Sequence, residues 1–438
     1  MNISVVGLGK LGLCTAACFA SKGHRVTGVE KNTDFVDKLQ SRCCPIDETG
    51  LEGLLENCRD NLTVTSDISI AVRDSDITLI IVPTPSKSDG RFTNEYVEAV
   101  LRSIGPEIRT KDSFHVVDVV STVMPGSCEQ QFRSLLEKLS GKVCGEDFGL
   151  VYNPEFIALG SVVRDFLNPD MVLVGASDER SAAIIKELYA LTCDNSPEIV
   201  CMSLVNAEIT KLSLNCFVTM KISYANELAS ICERIPGADV DVVTNAIGAD
   251  SRIGKKYLKG GLGFGGPCFP RDNLAFQGFA EDAGIQAKLS PQVVSVNRSV
   301  VDRLYSIVSE RFSKGSKVAV LGLSYKPGTC IIEESQSIML AQKLIESGYT
   351  VVVYDPKALD NAKEVLGESV GYYEDVYSCL ENVDAVVLMT DWPEFKQLDI
   401  EQIDKSVNGG VLLIDSWRVM KDSEINKIEY VGLGMGMV

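Results

Sequence analysis

The chain opens on an apolar run broken by three glycines, Ile3-Ser-Val-Val-Gly7-Leu-Gly9-Lys10-Leu11-Gly12, and continues into the helix-forming stretch Leu13–Ser21. A strand that turns through Gly-x-Gly-x-x-Gly into a helix has few solutions. It starts a parallel βαβ unit whose turn leaves backbone N–H groups at a helix start, where an anion is held. Glu30 ends the next β-rich run, 18 residues after Gly12. That spacing matches the acid that bonds the ribose of a bound dinucleotide. Gly7, Gly9, Leu11 and Gly12 are therefore expected around a pyrophosphate, with Lys10 either facing solvent or touching a phosphate. A 2′-phosphate ~4 Å from Glu30 would cost up to about 4 kcal/mol per unit charge at an effective dielectric of roughly 20, so NAD is expected rather than NADP.

The alternation continues along the chain. Ile3–Val6, Val26–Val29, Thr78–Val82, Val116–Val120, Leu150–Tyr152 and Met171–Val174 read as strands separated by helical stretches, which implies a doubly wound parallel sheet. The pattern then recurs. Lys317–Gly322 echoes the opening strand, Ser347–Asp355 echoes Lys22–Glu30, and Asp384–Thr390 echoes Asp76–Thr84. Between the two halves, roughly 203–234 and 291–312 carry helical spacing, with Val205, Ile209, Leu212 and Cys216 at i, i+4, i+7 and i+11. The expected fold class is α/β: two Rossmann-like, doubly wound parallel-sheet domains, at 1–200 and 313–438, joined by a central helical segment at 201–312. A helix joining two such lobes places a cleft between them, a favoured position for a ligand.

Composition narrows the function classes. The net charge of −18 argues against nucleic acid, since phosphate neutralisation needs a basic surface. No apolar run approaches the ~20 residues that span a bilayer, so no membrane partner is expected. The first residues already form a structural strand, which leaves no signal peptide and, with 14 cysteines that show no Cys-x-x-Cys pair, points to reduced thiols in a cytoplasmic setting. Only two histidines, His24 and His115, are present, so neither a histidine-ligated metal nor a Ser-His-Asp arrangement is expected. Acid–base work falls to Lys, Asp, Glu or Cys.

One cysteine stands apart. Gly263-Phe264-Gly265-Gly-Pro-Cys268-Phe-Pro-Arg-Asp272 sets a thiol behind what reads as a flexible glycine loop and four residues ahead of a carboxylate. Pro267 and Pro270 suit a first helical turn, whose N–H groups lower a thiol pKa. Lys211 and Asn215 lie four apart and share a helix face, either as a solvated pair or, with Lys211 assisting the thiolate, as part of the same site. Glu155 follows a predicted strand and either caps a turn or sits where parallel sheets bind ligands. A dinucleotide and a thiol together suggest oxidation of an alcohol through an aldehyde to an acid.

Together these motifs resemble the UDP-glucose/GDP-mannose dehydrogenase family along essentially the whole chain. Gly263–Asp272 is similar to its active-site cysteine motif, Glu208–Asn215 to its Lys/Asn helix, Ser121-Thr122-Val-Met-Pro-Gly126 to its catalytic threonine turn, and Asn153-Pro-Glu155-Phe156 to its catalytic glutamate segment. Pro45–Leu51 and Val82-Pro-Thr84-Pro85 fit its cofactor lobe. Leu321–Gly328, with Lys326, and Asp415-Ser-Trp-Arg418 resemble its UDP-binding lobe, while Asp250-Ser-Arg252-Ile-Gly-x-x-Tyr257 resembles a segment whose arginine reaches a neighbouring subunit.

The resemblance implies catalytic roles for Cys268, Lys211, Asn215, Asp272, Glu155 and Thr122. Cofactor contacts fall at Gly7, Gly9, Lys10, Leu11, Gly12, Glu30, Thr84, Pro85 and Thr122. Substrate contacts fall at Glu155, Phe156, Lys211, Asn215, Arg252, Tyr257, Phe264, Gly265, Lys326 and Arg418. It also implies NAD, a UDP-sugar substrate and a homodimer or larger homo-oligomer. UDP-glucose is the leading substrate, with a UDP-N-acetylhexosamine or GDP-mannose as alternatives. A single-oxidation hydroxyacid dehydrogenase would need neither the cysteine nor the second α/β half, and a non-catalytic nucleotide-sugar sensor predicts damage at Cys268, Lys211 or Asp272, which are intact. Two departures stand out. Leu159 occupies the place of a second glutamate, on the side of Glu155 if 153–160 begins a helical turn and so beside the sugar, and Cys330–Ser335 lacks the family's Asp-Asp-x-Arg pattern.

Overall fold

The computed structural model describes residues 1–406, 410–421 and 428–436. Residues 437–438, which end the expected third domain, lie outside this set, as do 407–409 and 422–427. The chain forms two compact units, Met1–Ser213 and Leu214–Val438.

The first unit is built on eight strands: β1 (Asn2–Val6), β2 (Arg25–Val29), β3 (Leu62–Thr65), β4 (Ile77–Ile80), β5 (His115–Val119), β6 (Phe148–Tyr152), β7 (Met171–Ala176) and β8 (Glu198–Met202). Their order is β3-β2-β1-β4-β5-β6-β7-β8. Each of the six strands read from sequence is present. The edge strands β3 and β8 were missed by that reading; both keep half-exposed residues, and β3, Leu-Thr-Val-Thr, is only half apolar. The sheet is parallel but for one pair, β7 running antiparallel to β6. The helix between them, Val162–Leu167, has six residues. It climbs only about 9 Å, less than the roughly 17 Å of a five-residue strand, so the chain re-enters the sheet near the end it left. The helix Lys10–Ser21 is buried from Gly12 to Ala20 and forms one core with Ile3, Val5, Leu79, Val116 and Val151. Val117, Val119, Leu150 and Tyr152 point to the opposite face.

The second unit holds six strands, β9 (Lys317–Leu321), β10 (Thr350–Tyr354), β11 (Val370–Tyr372), β12 (Ala385–Leu388), β13 (Val411–Asp415) and β14 (Ile428–Gly432), in the order β11-β10-β9-β12-β13-β14. All of its pairings are parallel. Counted from its own first strand, this sheet repeats the order of the first six strands of unit one, which is the structural content of the echo between Ile3–Thr84 and Lys317–Thr390. The unit also contains Val240–Gly248, Phe269–Asp282 and Leu289–Ser309.

A single helix, Leu204–Cys232, begins in the first unit and ends in the second. Of its apolar spacing, Leu212 is fully buried, Ile209 and Cys216 are half-buried and only Val205 is exposed. Glu208, Lys211, Asn215 and Thr219 are buried as well, so the inward side also carries polar groups at three- and four-residue intervals, which hydrophobic periodicity alone does not reveal.

Candidate active site

The glycine turn after β1 divides its labour by position. Gly7 has φ +93°, and a Cβ there would lie 2.3 Å from the Ile81 carbonyl oxygen. A Cβ on Gly12 would lie 1.9 Å from the Gly7 oxygen, so glycine lets the helix close onto the strand. Nothing lies within 4 Å of the Cβ position of Gly9, which starts the helix Lys10–Ser21. This is the open approach that a pyrophosphate needs. Lys10 is exposed and Leu11 half-buried beside it. Glu30, at the end of β2, accepts from the Leu8 N–H at 3.1 Å and the Asn32 N–H at 3.0 Å, fixing a carboxylate next to the turn. The residues fit NAD. Thr84 donates from Oγ1 to the Thr122 carbonyl at 2.6 Å, tying the Thr84-Pro85 segment to the threonine turn. Ser121 Oγ accepts from the Val82 N–H at 2.9 Å, and the expected strand Thr78–Val82 is observed as Ile77–Ile80.

Glu155 follows β6 on a segment without regular secondary structure. Its Oε1 accepts from the Tyr189 hydroxyl at 3.0 Å, and its backbone carbonyl accepts from Lys211 Nζ at 2.6 Å. The Lys211 ammonium also lies 4.6 Å from the centroid of the Phe156 ring. Burial pushes the Glu155 carboxyl up to about 7, against the Tyr189 hydrogen bond and the Lys211 charge, which pull it down. A carboxyl poised there is suited to proton transfer near neutrality. The helical turn expected over 153–160 is absent; the next helix starts at Val162. Leu159 therefore does not share a helix face with Glu155 and packs instead against the core of the first sheet. Glu48 anchors this loop, accepting from the N–H groups of Gly160 at 2.8 Å and Val162 at 3.0 Å.

In the second unit, Cys268 is exposed at the N-terminal boundary of the helix Phe269–Asp282. Asp272, one turn in, is buried and accepts from Asn215 Nδ2 at 2.6 Å. The Asp272 N–H donates to the Cys268 carbonyl at 2.9 Å, which closes the first turn. The glycine run ahead of Cys268 is pinned rather than flexible. Gly263 N–H donates to Gln336 Oε1, Phe264 N–H to Asn297 Oδ1 and Gly266 N–H to the Glu333 carbonyl, at 2.7, 2.7 and 2.9 Å. A Cβ on Gly265 would lie 2.4 Å from the Glu334 oxygen, and one on Gly266 2.7 Å from the Tyr325 ring. Glycine is required because two backbones meet, and the thiol gains a fixed platform. Phe264 is buried, its ring edge-on to Phe269; Tyr257 is exposed at φ +61°.

Lys326 is half-buried, its Nζ 5.9 Å from the Tyr325 centroid. Arg252 is exposed and pairs with Asp250. The expectation for Arg418 needs correcting. Its guanidinium is buried, bidentate to Asp241 at 2.8 Å, and donates to the carbonyls of Gly260 and Leu433. With its donors spent internally, Arg418 holds the unit together and is not presented to a diphosphate. Sequence reasoning missed Tyr189, Glu48 and Glu208 as supports of the site. Glu208 lay inside a quoted motif, three residues before Lys211, whereas nothing local marks Tyr189, 34 residues after Glu155.

The family models for the UDP-glucose/GDP-mannose dehydrogenase NAD binding, central and UDP binding domains match residues 1–192, 205–299 and 319–422. A UDP-glucose 6-dehydrogenase of Haloferax volcanii is 38% identical over 92% of this chain and 94% of its own. One from Bacillus subtilis is 36% identical over 99% and 93%. The structure of a UDP-glucose dehydrogenase from Pyrobaculum islandicum superposes with a TM-score of 0.90 at 36% identity, covering 99% of this chain and 98% of that one. With family models spanning all three segments and relatives this similar over nearly the full length, the chain belongs to the UDP-glucose/GDP-mannose dehydrogenase family of NAD-dependent oxidoreductases.

Proposed function

We propose that the chain oxidises the C6 alcohol of UDP-glucose to the carboxylate in two steps, with a UDP-N-acetylhexosamine or GDP-mannose as the alternative substrate. The observation that carries this reading is the exposed Cys268 held at a helix start, with the buried Asp272 one turn in and bonded to Asn215. The domain limits read from sequence, 1–200, 201–312 and 313–438, are proposed to carry cofactor binding, subunit contact and UDP binding.

Gly7–Gly12, Glu30 and the Thr84–Thr122 pair would hold NAD, which when bound would supply the hydride acceptor for each oxidation. Asp272, through a water, takes the proton of the C6 hydroxyl. Lys211 and Asn215 stabilise the oxyanion, a charge that exists chiefly in the transition state and so contributes to rate. Cys268 then adds to the aldehyde. An aldehyde gives up its remaining hydride readily only once a nucleophile has made the carbon tetrahedral, and covalent capture also stops its escape. Oxidation of the thiohemiacetal leaves a thioester, which Glu155 hydrolyses by activating water beside Thr122. Lys326 and backbone N–H groups meet the diphosphate.

The working unit is proposed to be at least a dimer in a cytoplasmic setting. Phe217, Tyr224 and Ile231 are exposed at seven-residue intervals along the long helix, and Arg252 is exposed for contact with a neighbour. No disulfide forms among the described cysteines, and no helix among the described residues is long and apolar enough to cross a membrane. A fully active monomer by light scattering would refute the dimer. The chemistry is tested by counting NADH released per sugar across UDP-glucose, UDP-N-acetylhexosamines and GDP-mannose. Two NADH per UDP-glucose are expected, and Cys268→Ser should lose turnover while keeping NAD binding. A stoichiometry of one, or unaffected turnover in Cys268→Ser, rules out the thioester route.

A further inference from the structure

Glu208 is fully buried one turn before Lys211 on the long helix. Its Oε2 accepts from the Gly126 N–H at 2.6 Å and its Oε1 from the Cys128 N–H at 2.8 Å. These donors close the turn that begins at Ser121-Thr122, and Gly126 sits at φ +94°, in the left-handed region. An internal carboxylate thus fills an anion nest at the head of the helical segment Cys128–Ser140, with both oxygens committed. One helical turn later, Lys211 Nζ is bonded to the Glu155 carbonyl. Residues 208–211 are therefore a single strut tied at one end to the Thr122 turn and at the other to the Glu155 loop, across 82 and 56 residues of sequence.

From this geometry we propose that Glu208 is a positioning residue for the hydrolytic half of the reaction, holding the Thr122 turn in register with Lys211 and the Glu155 loop. The proposal rests on the thioester reading above. Glu208 touches no reacting atom and acts through the backbone of 126–128. Burial raises its carboxyl, while the Cys128 and Gly126 N–H bonds pull it back. The ionised form is the one that accepts both N–H groups. Glutamine at 208 keeps the size but turns an amide N–H₂ towards one of those donors, so one bond is lost and the turn must move. A displacement of about 1 Å near reacting groups costs up to roughly 100-fold in rate.

The test uses the full-length protein with UDP-glucose and NAD. Glu208→Gln should lower kcat by about 10- to 100-fold, with KM for UDP-glucose falling alongside so that kcat/KM stays within about threefold, and retain the first burst of NADH. Intact-mass measurement during turnover should show Cys268 accumulating as a sugar-nucleotide adduct. A general loss of structure would instead raise KM or abolish the burst. Gly126→Ala attacks the same joint from the loop side, since an alanine is strained at φ +94° and its Cβ would lie 3.1 Å from Gln130 Nε2. It should give the same kcat-selective loss and adduct, and it carries the test alone if Glu208→Gln does not fold. Wild-type kcat and no adduct in a folded variant would overturn the proposal. Failure of the wild-type protein to release two NADH from UDP-glucose would overturn the underlying reading instead, so the two failures are distinguishable.

Discussion

Lys211 Nζ donates a 2.6 Å hydrogen bond to the backbone carbonyl of Glu155, so the ammonium expected to stabilise the oxyanion is also a tether of the loop that carries the hydrolytic carboxyl. Removing it should be felt twice. Lys211→Met should lower kcat by roughly 100- to 1,000-fold, the range for loss of one oxyanion donor. It should also raise the Glu155 pKa further, because the Lys211 charge is one of the two influences that lower it. Steady-state kinetics and the pH profile check both effects. An unmoved profile would show that Lys211 does not act on Glu155.

Glu155 sets a pH window of its own. With the carboxyl pushed up to about 7 by burial, the base form grows as pH rises through that value. The thioester should therefore accumulate on Cys268 below pH ~7 and clear above it, with the dependence gone in Glu155→Gln. Stability runs the other way. The folded state keeps a proton on Glu155 that the unfolded chain has released above its ordinary value of 4.5, so this group's contribution is lost as pH rises from there through about 7. Denaturant midpoints of the wild type and Glu155→Gln across that window should converge at the acid end.

Glu30 places a fixed carboxylate beside the glycine turn, held by two backbone N–H groups. NAD should be preferred over NADP by at least ~100-fold in kcat/KM, since each decade takes about 1.4 kcal/mol. Removing the charge with Glu30→Gln should narrow that preference mainly by improving NADP. Equal use of the two cofactors by the wild type would contradict the placement.

His115 has no catalytic part in this scheme, yet it should govern acid stability. It is fully buried, with its ring against Thr78 Oγ1 at 2.9 Å and the Ser75 carbonyl at 3.2 Å, and burial pushes its pKa down to about 3. Between that value and the ordinary 6.5 the unfolded chain binds the extra proton, so stability falls as pH falls through the window, by up to about 1.4 kcal/mol per pH unit. Urea unfolding at pH 7, 6, 5 and 4 should show a shallower acid loss for His115→Asn than for the wild type. Parallel curves would remove His115 from the account.

The sequence by itself determined what is local. The strand, the three glycines and the acid 18 residues on are neighbours in the chain, and each answers to a steric or electrostatic rule that needs no other segment. The same holds for Cys268 and Asp272, one helical turn apart, and for the repeated strand pattern that became two sheets of matching order. Only the tertiary structure decided what depends on close approach between distant segments. Gly263, Gly265 and Gly266 spell flexibility in one dimension and turn out to be the contact surface for 325–336, where any Cβ would collide. Arg418 looks like a phosphate ligand until its partner, Asp241, is seen 177 residues away. Tyr189 carries no local signature at all, and Glu208, though inside the Lys/Asn helix motif, has nothing near it in the chain to name its partners. Their roles come from burial, which makes an unpaired polar atom too costly to leave alone and so selects partners by position in space rather than by spacing along the chain.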